Sequence, residues 1–185
     1  MTHGRFSLSS AVRWGQGQPH LSRTTLIAAL VACAAALPAG AQDDPAFLTL
    51  SAGAFDIGKD GTAAEGRIEY RHDRKFWLFK PFAGLMATSD GAVYGYGGVL
   101  IDAYWGNRIV TTLSFAPGAY YEGDGKDLGS TLEFRSQLEI AWRFDDRSRL
   151  GLAIGHMSNA SIGEDNPGEE SLTLNYSIPL GPRRR

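Results

Sequence analysis

The stretch Thr131-Leu132-Glu133-Phe134-Arg135-Ser136-Gln137-Leu138-Glu139-Ile140-Ala141-Trp142-Arg143-Phe144 alternates almost residue by residue. Leu132, Phe134, Leu138, Ile140, Trp142 and Phe144 share one parity; Glu133, Arg135, Gln137, Glu139 and Arg143 share the other. A strand has a period of two, so one set lines an apolar face and the other a charged face. The charged face carries both signs in turn, which a solvated edge does not need and an enclosed polar interior does.

The same pattern extends outward from this stretch. Residues 64–71 repeat it, with Glu65, Arg67, Glu69 and Arg71 opposite Ile68 and Tyr70. Eight such segments, separated by turn signals, are read over 46–58, 64–71, 76–88, 92–105, 108–121, 131–144, 149–159 and 170–179. None carries helical periodicity. Eight short strands predict an all-β sandwich or barrel, and alternation alone leaves open which face is inside. A soluble barrel turns its apolar face in; an outer-membrane barrel turns it out against lipid. The segments are about as long as a tilted strand needs to cross a bilayer. Trp77, Trp105, Trp142, Tyr120 and Tyr176 lie near segment ends, where interfacial aromatic girdles form. Alternating acids and bases suit a side-chain-filled lumen in a barrel too narrow for a pore. The expectation is therefore an eight-stranded antiparallel transmembrane β-barrel, closed so that no strand edge is exposed. Connections near Asp73, Gly106-Asn107 and Asp145-Asp146 read as short periplasmic turns, and EGDGKDLGS and SIGEDNPGE as outer loops. Only Ser89-Asp90-Gly91 is short where a longer loop is expected. The seventh segment then runs outward.

The 185 residues carry a formal net charge of −2, which argues against nucleic acid as a partner. After Arg23 the run TTLIAALVACAAALPAGA ends in Ala39-Gly40-Ala41. It is short and Ala-rich for a spanning helix and reads as a secretory signal, so 1–41 is expected to be a signal peptide with an N-terminal extension and 42–185 the barrel domain. Cys33 lies within the signal, and Leu30-Val31-Ala32-Cys33 also resembles a lipoprotein processing site. Cleavage after Ala41 would leave a mature chain without cysteine or disulfide. Only His72 and His156 remain in that chain, too few preferred ligands for zinc. Glu122, Asp124, Glu164 and Asp165 read as solvated loop charges, so no metal or cofactor is expected. The end, Gly181-Pro182-Arg183-Arg184-Arg185, reads as a solvated basic tail, where outer-membrane chains often close on an aromatic residue.

Two segments carry the chemistry. Leu150, Leu152, Ile154, His156 and Ser158 share one parity; Glu170, Leu172, Leu174, Tyr176 and Ile178 share another. Paired as a hairpin, they would put a base, a hydroxyl and a carboxylate on one greasy face. A serine attacks an ester when a base takes its proton, and a histidine serves when a carboxylate holds its ring. Ser158 is then the candidate nucleophile, His156 the base and Glu170 the orienting acid, Glu169 having the wrong parity. Asn159, or backbone N–H groups beyond the strand end, could donate to an oxyanion. A lone His-x-Ser is usually nothing. Here it interrupts an apolar wall, where an unpaired polar side chain is costly. A non-catalytic structural or adhesive barrel, and a soluble lipid-binding barrel, are the competing readings.

The stretch GHMSNASIGEDNPGEESLTLNYSIPL resembles the active-site end of the lipid A 3-O-deacylase (PagL) family of outer-membrane enzymes. The resemblance lies in His156-Met157-Ser158-Asn159 followed by Glu170, with Asn166 and Gly168 between them, and extends to GDGKDLGSTLEFRS upstream. It is strong over the C-terminal third and weak before it. It implies hydrolysis of the ester-linked 3-position (3-hydroxyacyl) chain of lipid A on the barrel exterior, without cofactor. Ser158, His156 and Glu170 would form the triad, with Asn159 as an oxyanion contributor. The implied partner is lipid A or lipopolysaccharide in the outer leaflet of the outer membrane, and a homodimer is compatible with it.

Overall fold

The computed structural model describes residues 44–58, 61–163 and 165–181. The expected signal segment, Cys33 and the basic tail beyond Gly181 lie outside these residues. Eight strands form: β1 (Ala46–Phe55), β2 (Ala63–Arg71), β3 (Lys80–Thr88), β4 (Val93–Trp105), β5 (Ile109–Tyr121), β6 (Leu132–Arg143), β7 (Arg149–Ser158) and β8 (Glu169–Leu180). Each pairs antiparallel with its sequence neighbour, and β1 pairs with β8 to close the barrel. The all-β, eight-stranded expectation holds, with one local departure. The third strand begins at Lys80 and not at Phe76. Residues Phe76 and Phe79 exchange backbone hydrogen bonds of 2.8 and 3.1 Å, and Trp77 between them has φ of 60°. That tight turn is incompatible with extended backbone, and the run Phe-Trp-Leu-Phe is apolar without alternating. The β2–β3 connection, 72–79, is thus longer than the short turn expected there.

The lumen is solid. Arg67 pairs with Glu65 at 2.7 Å and donates to Gln137 Oε1 at 2.7 Å. Arg71 bridges Glu69 at 2.7 Å and Glu139 at 2.8 Å. Arg135 donates to Glu69 Oε2 at 3.0 Å and lies 4.2 Å over the Tyr96 ring. Towards the short-turn end, Arg149 pairs with Asp44 and Asp102, and Lys80 reaches Asp102 at 2.8 Å. Towards the longer loops the filling changes to Phe55, Met86, Tyr94, Tyr120, Leu128 and Met157. Buried charges are costly unless paired and hydrogen-bonded, and Arg67, Arg71, Arg135 and Arg149 meet that condition with acids around the bore. Glu133 departs from it, both its carboxylate oxygens being buried without a hydrogen-bond partner among the described residues.

The outer wall is apolar. Leu50, Ile68, Leu85, Val99, Leu113, Leu138, Ile140, Leu152, Ile154, Leu172 and Leu174 are all exposed. A contiguous apolar surface of this kind belongs in lipid and not in water. Trp77, Trp105, Trp142 and Tyr176 are exposed near the short-turn end, as an interfacial girdle requires. Tyr120 is not part of a girdle. On β5 the even positions face the lumen, so its ring is buried and its hydroxyl donates to Lys126 O at 2.8 Å; the exposed neighbour is Tyr121.

Candidate active site

The β7–β8 register sets His156 directly opposite Glu170. His156 Nδ1 lies 3.4 Å from Glu170 Oε1, with the two side chains 53% and 49% exposed on the outer wall. Met157 and Glu169, of opposite parity, are buried in the lumen. Ser158 is the last residue of β7 and half-buried; two residues from His156, it leaves the strand on the same side. Its cross-strand neighbour on β6 is Phe134, which stacks on Phe115 with ring centroids 6.0 Å apart. His156 and Glu170 are thus brought together at the loop end of one hairpin, beside an aromatic pair. Ser158 lies two residues along the same strand and makes no hydrogen bond to His156 among the described residues.

Gly168, just before β8, closes the site from above. Its φ is 59°, which L side chains rarely adopt, and a Cβ there would stand 3.1 Å from His156 Cε1. Gly168→Val is expected to push the imidazole away from Glu170 and lower ester hydrolysis about 10–100-fold, with the barrel intact by heat-modifiable gel mobility. Unchanged turnover would show that the ring does not depend on this contact.

The outer loops fix that glycine. Lys126, in the β5–β6 connection, donates to Asp56 Oδ1 at 2.6 Å and to Gly168 O at 2.7 Å. Ile57 N donates to Glu170 O at 2.9 Å. Three connections thus meet at the start of β8, and backbone ties from the β1–β2 and β5–β6 loops hold Gly168 and Glu170. Periodicity carries no sign of this, because the tie is made by loop residues far apart in sequence.

Asn159 is placed differently from the oxyanion expectation. Its side chain is fully buried, and its Nδ2 donates to Leu128 O at 2.9 Å and Asp165 O at 2.7 Å. Its Oδ1 accepts from Ser161 N at 2.9 Å, and its own N–H donates to Asn166 Oδ1 at 3.1 Å. Every donor of Asn159 is engaged, so the residue pins the loop and, as arranged, offers nothing to an oxyanion. The correction has a simple cause: at the strand end parity no longer applies, and the backbone passes through Ala160 and Ser161 with φ of 53° and 63°. Asn166 is the exposed amide of this loop. Its Nδ2 makes only a 3.5 Å contact with Ser161 Oγ, and it lines a 680 Å³ cleft with Asp127, Gly129, Asp165 and Pro167. Among the described residues there is no group of three or more His, Cys, Asp or Glu side chains arranged to hold a metal.

Residues 63–179 match the family model described as lipid A 3-O-deacylase (PagL). The chain is 27% identical over 161 residues to the lipid A deacylase PagL of Pseudomonas aeruginosa, covering 71% of this chain and 86% of that one. It is 31% identical over 77 residues to the PagL of Bordetella bronchiseptica, covering 42% and 39% of the two chains. The crystal structure of the outer membrane enzyme PagL superposes with a TM-score of 0.58 at 22% identity, over 72% of this chain and 99% of that one. A de novo designed transmembrane β-barrel superposes at 0.53 with 6% identity, over 74% and 98%, a likeness of fold alone. The matched residues run through nearly the whole barrel and include the β7–β8 hairpin, and the chain belongs to the lipid A 3-O-deacylase (PagL) family of outer-membrane ester hydrolases.

Proposed function

We propose that this protein is an outer-membrane serine esterase that removes the 3-position acyl chain of lipid A at a Ser158, His156 and Glu170 triad on its lipid-facing wall. The observation that carries the reading is the outward pairing of His156 with Glu170 in an otherwise apolar wall, with Ser158 two residues away on the same side. Glu170 holds Nδ1–H and stabilises the imidazolium; Nε2 then accepts the Ser158 proton as Oγ attacks the ester carbonyl. The separation of 3.4 Å is loose for that bond and would tighten as substrate excludes water. The sugar alcohol leaves with the proton from His156, and water attacks the acyl-enzyme by the same relay. With Asn159 engaged elsewhere, Asn166 Nδ2 and backbone N–H groups of the loop are the donors for the oxyanion. The substrate fits the place: lipid A lies in the outer leaflet, and strand seven ends at the long-loop side. Export would use residues 1–41 as signal, with 42–185 as the mature chain.

The test is mass spectrometry of lipid A from cells expressing the protein, with Ser158→Ala as the matched control. The expected result is loss of one 3-hydroxyacyl mass with the wild type only. Unaltered lipid A with both proteins folded in the outer membrane would overturn the deacylase reading.

A further inference from the structure

The outward row through His156 does not stop there. Ser136 on β6 is the cross-strand partner of His156 on one side, as Glu170 is on the other. Along β6 the outward residues are Leu132, Phe134, Ser136, Leu138, Ile140 and Trp142, so Ser136 alone is polar in that set. It is exposed, and it makes no side-chain hydrogen bond among the described residues. A hydroxyl turned towards lipid is unfavourable unless something bonds it.

The surroundings indicate what that would be. On the β8 side of Ser158 lie Glu170 and Gly168, charged and closed. On the β6 side lie Phe134 and, stacked on it, Phe115. An acyl chain leaving the ester carbonyl at Ser158 therefore runs over the β6 and β5 wall, past Ser136. Diagonal cross-strand neighbours such as Ser136 and Ser158 have Cα atoms about 7–8 Å apart. Two side chains of that spacing, both pointing outward, can hold one ligand between them at its carbonyl carbon and at a group about two carbons further on. In a 3-hydroxyacyl ester that group is a hydroxyl, able to donate to and accept from serine.

We infer that Ser136 binds the hydroxyl on the third carbon of the acyl chain, making the site selective for 3-hydroxyacyl esters over plain acyl esters of equal length. The inference rests on the esterase reading above. Loss of one buried hydrogen bond to a polar substrate group is expected to change turnover about tenfold.

The experiment uses purified full-length protein in detergent micelles and two glucosamine esters, 3-hydroxytetradecanoyl and tetradecanoyl. Wild type is expected to prefer the hydroxylated ester about tenfold in kcat/KM. Ser136→Ala should lose that preference through a slower hydroxylated substrate, the plain ester being hydrolysed as by wild type. Ser136→Thr, which keeps the hydroxyl, should restore it. Because the plain ester is an internal control, a misfolded variant is recognised by loss of both rates and is replaced by Ser136→Cys, which should likewise lose the preference. Equal slowing of both esters by a folded Ser136→Ala would overturn the inference and make Ser136 a support for the His156 ring. An unchanged ratio would overturn it outright. Failure of the wild type on both esters and on lipid A would instead remove the esterase reading itself.

Discussion

Ser158→Ala is expected to lower ester hydrolysis by about 10⁴–10⁶-fold, the range in which triad nucleophiles fall when truncated. The methyl group fits where the hydroxymethyl stood, at a half-buried strand end, so the barrel should keep its fold and its heat-modifiable mobility. His156→Gln should cost a comparable factor, because a hydroxyl without a base is a weak nucleophile. The double variant should be scarcely worse than either single one, since the two act as a unit. Glu170→Gln is expected to cost less, about 10²–10⁴-fold, because in the proposed triad its carboxylate would orient and stabilise the ring without breaking a bond. Initial rates on a micellar ester substrate measure all four. Retention of more than about 1% of wild-type rate by Ser158→Ala, against that expected range, would move the nucleophile to another hydroxyl.

The second large effect is on stability. Arg135 is fully buried at mid-lumen, donating to Glu69 Oε2 at 3.0 Å and Gln137 Oε1 at 3.1 Å, with its guanidinium over Tyr96. Arg135→Met keeps much of the volume but removes one of the two cations that neutralise Glu69, leaving Arg71 alone. Removing one partner of a buried ion pair typically costs about 3–5 kcal/mol, because the charge left behind has lost its compensation and cannot reach water. Urea unfolding in lipid vesicles, followed by tryptophan fluorescence, should show a lower midpoint with an unchanged slope. Adding Glu69→Gln should recover part of the loss, since it removes the stranded charge. A midpoint shift equivalent to less than about 1 kcal/mol would mean that the network does not hold the barrel together as its paired charges suggest.

Much of this was legible in the chain because a strand reports its two faces directly. The alternation in residues 131–144 puts Glu133, Arg135, Gln137 and Glu139 on one face, segment length and end aromatics favour that face as the lumen, and all four are buried there. The same parity separates Glu169 from Glu170, one buried and one outward. Where the backbone leaves the strand the rule ends. Asn159 lies one residue beyond β7, and its role depends on carbonyls of Leu128 and Asp165 that no period relates to it. Lys126 binds Asp56 across 70 positions of sequence, a contact made only once the barrel has closed. Trp77 is as apolar as a strand residue, but its backbone turns, which composition does not report. Ser136 acquires a meaning only through the register that sets it beside His156.

The packed bore has a consequence for the cell. From Asp44 and Arg149 at one end to Phe55 and Leu128 at the other, buried side chains of the described residues fill the interior. A barrel filled in this way adds no open pore to the membrane that holds it. The abundance of such a protein can then be set by demand for its chemistry alone, independently of the permeability limits that govern how many porins a cell tolerates.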